Sequence, residues 1–189
     1  MPRLVLASAS ARRRAYLEEL GAEFELLPTD VDETPRPRES PEDLALRLAG
    51  DKARAAAALA PGRWVLAADT VVAIGAMILG KPADRENARR MLRLLADVEH
   101  RVVTGVALLD PTGVALLHEA LTTYVTFRAL GDAEIDAYVR TGEADDKAGA
   151  YGIQGAAGAF VAERRGSLSN VVGLPLEIVE PALRRAGLL

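Results

Sequence analysis

"LASASARRR", residues 6–14, places two serines and three consecutive arginines directly behind the chain's first apolar run. Arg3 to Ala7 reads as a short buried strand, and Ser10 to Leu20 as a helix that stops at Gly21. The basic cluster therefore sits where a strand hands over to a helix. Serine hydroxyls, free backbone N–H groups and guanidinium forks gathered at one helix start make a cradle for phosphate. The same residues would also make a solvated arginine-rich helix face with Ser10 as an ordinary cap. Three successive arginines cannot all face one way on a helix, so at most two reach a ligand.

Outward from this point, Phe24 to Pro28 reads as a second strand, and "TDVDETPRPRES" (29–40) as an acidic, proline-containing loop. Ser40-Pro41-Glu42-Asp43 is a strong helix start, and the helix should run to about Ala60. Leu44, Leu48 and Lys52 recur every four residues, which sets the lysine beside the face the leucines bury. Trp64 to Ala68 reads as an apolar strand ending at Asp69-Thr70, followed by a tight return at Gly75. Asp84 can cap a helix reaching Ala96. A strand from about Arg101 to Leu109, the turn "DPTG" (110–113) and an antiparallel return over Val114 to Arg128 come next. Asp132 to Arg140 reads as a helix closed by Gly142. Residues 142–158 hold five of the chain's 16 glycines and no apolar period, so they read as a loop whose backbone can approach a ligand. A strand near Ala159 to Ala162 and a helix broken by Pro175 and Pro181 complete the chain. With no internal repeat and no linker, one mixed sheet flanked by helices is expected, as a single domain over 1–189.

Composition narrows the function. Half of the 189 residues are hydrophobic and 26% are charged, an ordinary globular balance. The N-terminal apolar run is shorter than the ~7–15 residues of a signal-peptide core, and no stretch approaches the ~20 apolar residues that span a bilayer. There is no cysteine, so no disulfide framework and no thiolate site, which fits a cytoplasmic setting. A net charge of −4 and 4% aromatic residues argue against a nucleic-acid track or stacking platform. The two histidines, His100 and His118, lie in unrelated contexts and leave little material for His-based metal or triad chemistry. Of the 23 basic residues only Lys52, Lys81 and Lys147 are lysines. A compact ammonium is not interchangeable with guanidinium, so these few could mark places that need one, or be leftovers of a biased composition.

"SASARR" (8–13), "DTVV" (69–72), "GKP" (80–82), "VTG" (103–105), "DKAGAYGIQG" (146–155) and "SLSNVVGLPL" (167–176) occur in the order and at the spacings of the Maf family. The resemblance spans nearly the whole chain. It implies an α/β fold like that of inosine triphosphatases, with an elongated mixed β-sheet flanked by helices and two lobes around a central cleft. It also implies a nucleoside triphosphate pyrophosphatase that cleaves between the α and β phosphates. Carried over position by position, Asp69 resembles the catalytic acid, and Ser8, Arg13, Lys52 and Lys81 the phosphate-binding groups. Glu33 resembles a second functional carboxylate. A carboxylate among phosphates needs a divalent cation between them, so Mg²⁺ or Mn²⁺ held by Asp69 and Glu33 is implied.

Arg12, Thr70 and Gln154 match the branch acting on dTTP and UTP, where they would set specificity. A glutamine amide offers both donor and acceptor to a pyrimidine edge. Ala11 departs from the proline of many members, which would loosen the helix start without removing a ligand group. Lys147 reads as a solvated loop lysine outside the site. The resemblance further implies a homodimer. A rival reading is a nucleotide-binding regulator of septum formation that senses rather than cleaves.

Overall fold

A computed structural model describes residues 3–189. The first three-residue strand, β1 (Leu4–Leu6), is buried on both faces: Leu4 and Leu6 join a cluster with Leu17 and Leu183, and Val5 joins one with Ala49 and Ala53. This two-sided burial is why the run is continuously apolar. Helix α1 (Ala11–Glu19) follows, with the Ser10 hydroxyl accepting from the Arg13 N–H at 3.4 Å. β1 pairs in parallel with β2 (Phe24–Leu26) on one side and with β3 (Trp64–Ile74) on the other. Between them, helix α2 (Pro41–Leu59) is capped by Ser40, whose hydroxyl accepts from the Asp43 N–H at 3.0 Å.

Next come β4 (Met77–Leu79), α3 (Arg85–Leu95), β5 (Glu99–Leu109) and β6 (Ala115–Phe127). Asp110 makes the turn between the last two, its carboxylate accepting from the N–H groups of Thr112 and Val114. α4 (Asp132–Arg140), β7 (Val161–Arg165), α5 (Leu168–Val172) and α6 (Leu176–Arg185) complete a seven-stranded mixed sheet of order β2-β1-β3-β5-β6-β7, with β4 on β3.

Three expectations change. β3 does not end at Asp69: it runs on to Ile74, because Asp69 and Thr70 pair with Gly105 and Thr104 of β5 in an unbroken antiparallel ladder. The last strand lies at Val161–Arg165 rather than 159–162, after a 3₁₀ turn over Ala156–Phe160. It is a largely exposed edge strand that, among the described residues, pairs with β6 alone, so it carries no apolar alternation to read. Pro175 separates α5 from α6, but Pro181 sits inside α6 without breaking it. The loss of one N–H there is outweighed by the buried face of Val179, Ala182 and Leu183.

The important feature lies along one edge of β3. Residues 64–66 of that edge pair with β1 and residues 72–74 with β4. Among the described residues, 67–71 have no strand partner there. A core of Leu4, Leu6, Leu66 and Leu108 lies on one side of this gap. A second core, of Leu92, Phe127, Tyr138 and Phe160, lies on the other.

Candidate active site

The gap opens into a cleft of about 910 Å³, within the range of small-molecule sites. Asp69 and Thr70 both line it, although successive strand residues point to opposite faces. An unpaired edge is reachable from both faces. β3 is held close to α2 at this level because β5 carries Gly105 opposite Asp69. A β-carbon at Gly105 would stand 2.2 Å from the Ala45 carbonyl oxygen of α2, so only glycine permits this approach.

α2 delivers Lys52. Leu44 and Leu48 are buried two turns and one turn before it, so the same face carries the lysine to the cleft. Its Nζ lies 2.6 Å from Asp69 Oδ1 and 2.6 Å from Glu33 Oε1. Burial disfavours the Lys52 charge, but Asp69 and Glu33 outweigh it and raise its pKa, so the group is a firm ammonium. Burial likewise works against the Glu33 charge, yet the Lys52 hydrogen bond and charge, with Lys81 and Arg13, hold its carboxyl below the ordinary value. Glu33 comes from the acidic loop, which Arg47 fastens to α2. Arg47 donates to the carbonyls of Asp32 (3.4 Å) and Thr34 (3.0 Å), on either side of Glu33, and to the Glu39 carboxylate at 2.6 and 2.9 Å.

The start of α1 delivers Ser8, Arg12 and Arg13; all three line the cleft, while Arg14 turns away to pair with Glu18. Arg13 is fixed through three donations: Nε to the Gly173 carbonyl (2.7 Å), Nη1 to Ser8 Oγ (3.1 Å) and Nη2 to Thr70 Oγ1 (3.0 Å). Two of its five N–H groups remain for a ligand. Burial lowers the Arg13 pKa against the pull of Asp69, and guanidinium remains charged regardless. Lys81, after β4, completes the cationic rim.

Eight of the nine residues singled out in the sequence thus meet at one cleft. Gln154 is exposed and stands outside its lining, one residue beyond Ile153, which belongs to it. Lys147, read as a solvated loop residue, instead lines the cleft beside Asp146, its Nζ 2.5 Å from that carboxylate. The support behind Arg13 and Thr70 comes from two of the quoted motifs, VTG and SLSNVVGLPL, without either showing that role in its own residues. Thr104 and Asn170 are fully buried, and Gly173 ends α5 at φ 116°, in the left-handed region that favours glycine.

Two carboxylates converging on one cation are a natural start for a divalent metal site. Carboxylate oxygens completed by substrate phosphates are a donor set for Mg²⁺ or Mn²⁺. Among the described residues, no cluster of three or more His, Cys, Asp or Glu side chains forms a full protein cage, so substrate oxygens would have to supply the rest.

The family model for "Maf-like protein" matches residues 3–186. A dTTP/UTP pyrophosphatase of Anaeromyxobacter dehalogenans (strain 2CP-C) is 56% identical, over 98% of this chain and 95% of that protein. One of Geobacter sulfurreducens is 52% identical over 99% and 98%. Among solved structures, a dITP/XTP pyrophosphatase of Mycobacterium abscessus overlaps with a TM-score of 0.43 and 21% identity, over 67% of this chain and 74% of that one, a likeness too loose to build on. No helix among the described residues is long and apolar enough to cross a membrane.

Proposed function

The chain belongs to the Maf family, and on that premise we propose that it hydrolyses dTTP and UTP to the nucleoside monophosphate and pyrophosphate. The observation that carries the reading is the Glu33–Lys52–Asp69 contact at the open edge of β3, ringed by Ser8, Arg12, Arg13 and Lys81. A bare nucleotide sensor needs the cations. It has less use for two carboxylates aimed among them.

In the reaction a water attacks the α phosphorus, the bond from that phosphorus to the αβ-bridging oxygen breaks, and pyrophosphate leaves with the bond electrons. The two free N–H groups of Arg13, with Lys52 and Lys81, neutralise charge growing on the leaving group. Ser8 Oγ already accepts from Arg13 and from the Ser10 N–H, so its own hydrogen is left to donate to a phosphate oxygen. Asp69 orients the water and accepts its proton. Lys52 holds Asp69 and Glu33 at one point despite their like charge. Asp69 and Glu33 would hold a divalent Mg²⁺ or Mn²⁺, which when bound supplies charge neutralisation at the phosphates.

Arg12, Thr70 and Gln154 are the base-selecting residues in this reading, and Gln154 takes part once its loop turns it inward from the rim. The same reading carries a homodimer and a cytoplasmic setting, checked by sedimentation and by fractionation. Pyrophosphate release from dTTP and UTP, with Mg²⁺ and with chelator, tests the function. Release that needs the metal and is lost in Asp69→Asn is expected; absent release in both proteins would leave only a sensor of septum formation.

A further inference from the structure

Arg13 holds two hydroxyls, and their hydrogens are directed oppositely. At Ser8 the oxygen accepts from Arg13 Nη1 (3.1 Å) and the Ser10 N–H (3.2 Å), which leaves the hydrogen facing the ligand. Thr70 differs because of what stands behind it. Its Oγ1 accepts from Arg13 Nη2 and lies 2.9 Å from Thr104 Oγ1. Thr104 Oγ1 in turn lies 2.9 Å from the Asn170 carbonyl oxygen. Two oxygens this close need a hydrogen between them, and a carbonyl has none to give. The single Thr104 hydrogen therefore lies on Asn170, and Thr104 can only accept from Thr70.

The main-chain carbonyl of Asn170 that takes the Thr104 hydrogen is held in place through that residue's own side chain. Asn170 is wholly buried, and its Nδ2 donates to the Val102 carbonyl (3.0 Å) and to Thr123 Oγ1 (2.9 Å). Thr123, also wholly buried, sends its hydrogen to the Ser167 carbonyl at 3.2 Å. With its hydrogen on Thr104 and one lone pair on Arg13, Thr70 has a single lone pair left for the cleft. It can meet a donor. Phosphate oxygens only accept, so Thr70 does not belong to the phosphate end.

We propose that Thr104 is a positioning residue for base selection: by drawing the Thr70 hydrogen inward it fixes Thr70 as an acceptor, which favours a base with a ring N–H over one with a bare ring nitrogen. Uracil and thymine present N3–H. Cytosine presents a lone pair at N3 and meets the Thr70 lone pair head-on. This inference rests on the nucleotide reading above.

The test is kcat/KM for UTP and CTP in the wild type, Thr104→Val, Thr104→Ser and the Thr70→Val/Thr104→Val pair, with calorimetric Kd values for both nucleotides. Thr104→Val frees the Thr70 hydrogen to turn toward the cleft, and the UTP-over-CTP preference narrows about tenfold in both measures, the worth of one hydrogen bond. Thr104→Ser keeps the hydroxyl and the wild-type ratio. Adding Thr104→Val to Thr70→Val changes nothing further. The Asn170 carbonyl still accepts the Gly173 N–H at 3.0 Å, so the valine variant retains a partner there. Thr104→Ala replaces it if thermal melting shows loss of fold. An unchanged ratio in the valine variant, a serine variant as altered as valine, or a shift confined to UTP against dUTP overturns the proposal. A wild type that releases pyrophosphate from neither dTTP nor UTP overturns the substrate reading itself.

Discussion

The two walls of the cleft are built differently. One wall stands on the sheet: Asp69 and Thr70 lie within an 11-residue strand whose residues 65–73 pair with β5, and behind Thr70 the fully buried Thr104 hydroxyl donates to the Asn170 main-chain carbonyl. The other wall is the glycine-rich segment 142–158, tied down at separate points. Glu143 accepts from the Ala156 N–H, the Gly149 N–H donates to Gly80, and the Tyr151 hydroxyl meets His100 of β5 at 2.8 Å. A wall fixed by many neighbours holds reacting groups in place; a wall on a few ties can follow a ligand. Chemistry and the fixed Thr70 acceptor belong on the first, and adjustment around the base on the second.

The largest expected effect breaks the sheet wall chemically. Asp69→Asn should cut kcat/KM by about 10³-fold with little change in melting temperature, since it removes a proton acceptor and a metal ligand but no packing. Equal activity in the two proteins would move the chemistry to the other wall.

The second is a pH effect on the loop wall's tie. The Val98 carbonyl can only accept, so His100 carries its hydrogen on Nδ1, and Nε2 accepts from Tyr151. Burial lowers the His100 pKa to about 4 in the fold, against 6.5 in an unfolded chain. Between those values the unfolded state binds the extra proton. Stability from this group is therefore full above pH 6.5 and falls by up to about 3 kcal/mol as pH drops toward 4. Urea titrations of wild type and His100→Gln across that range should diverge in slope, and hydrogen exchange at residues 148–153 should quicken first.

Third, Gly105→Ala should cost about 1–3 kcal/mol in urea unfolding, because α2 must move off the sheet. Fourth, Arg47→Met should raise the Mg²⁺ concentration for half-maximal activity several-fold, on the order of one lost charged hydrogen bond, since it frees the Glu33 loop without touching the sheet. Smallest, Gln154→Ala should change preference among pyrimidine triphosphates about threefold and leave the rate on the best substrate near wild type. A larger loss there than in Arg47→Met would erase the distinction between the walls.

What could be read beforehand follows the same division. Ser40, Asp84 and Asp110 make local hydrogen bonds within four residues, so their caps and turn are visible in sequence. Asp69 is recognisable as a residue but not as the middle of a strand, because a polar pair after an apolar run looks like an end when nothing announces that the strand continues beside an open edge. Thr104 and Asn170 lie outside the cleft's lining, and the motifs that contain them, VTG and SLSNVVGLPL, are 66 residues apart, so nothing in either announces that they meet. Lys147 reads as solvated because a loop's composition does not tell which of its faces closes a hollow.

β1 and β4 have three residues each, and both borrow the same edge of β3. Their brevity sets the aperture: a register longer by two residues on either would narrow the five-residue opening to three, backbone to backbone. Catalysis in this molecule thus depends on two strands that stop early. An extended peptide offering its own main chain to that vacant stretch would act as a competitor of a kind no nucleotide analogue resembles.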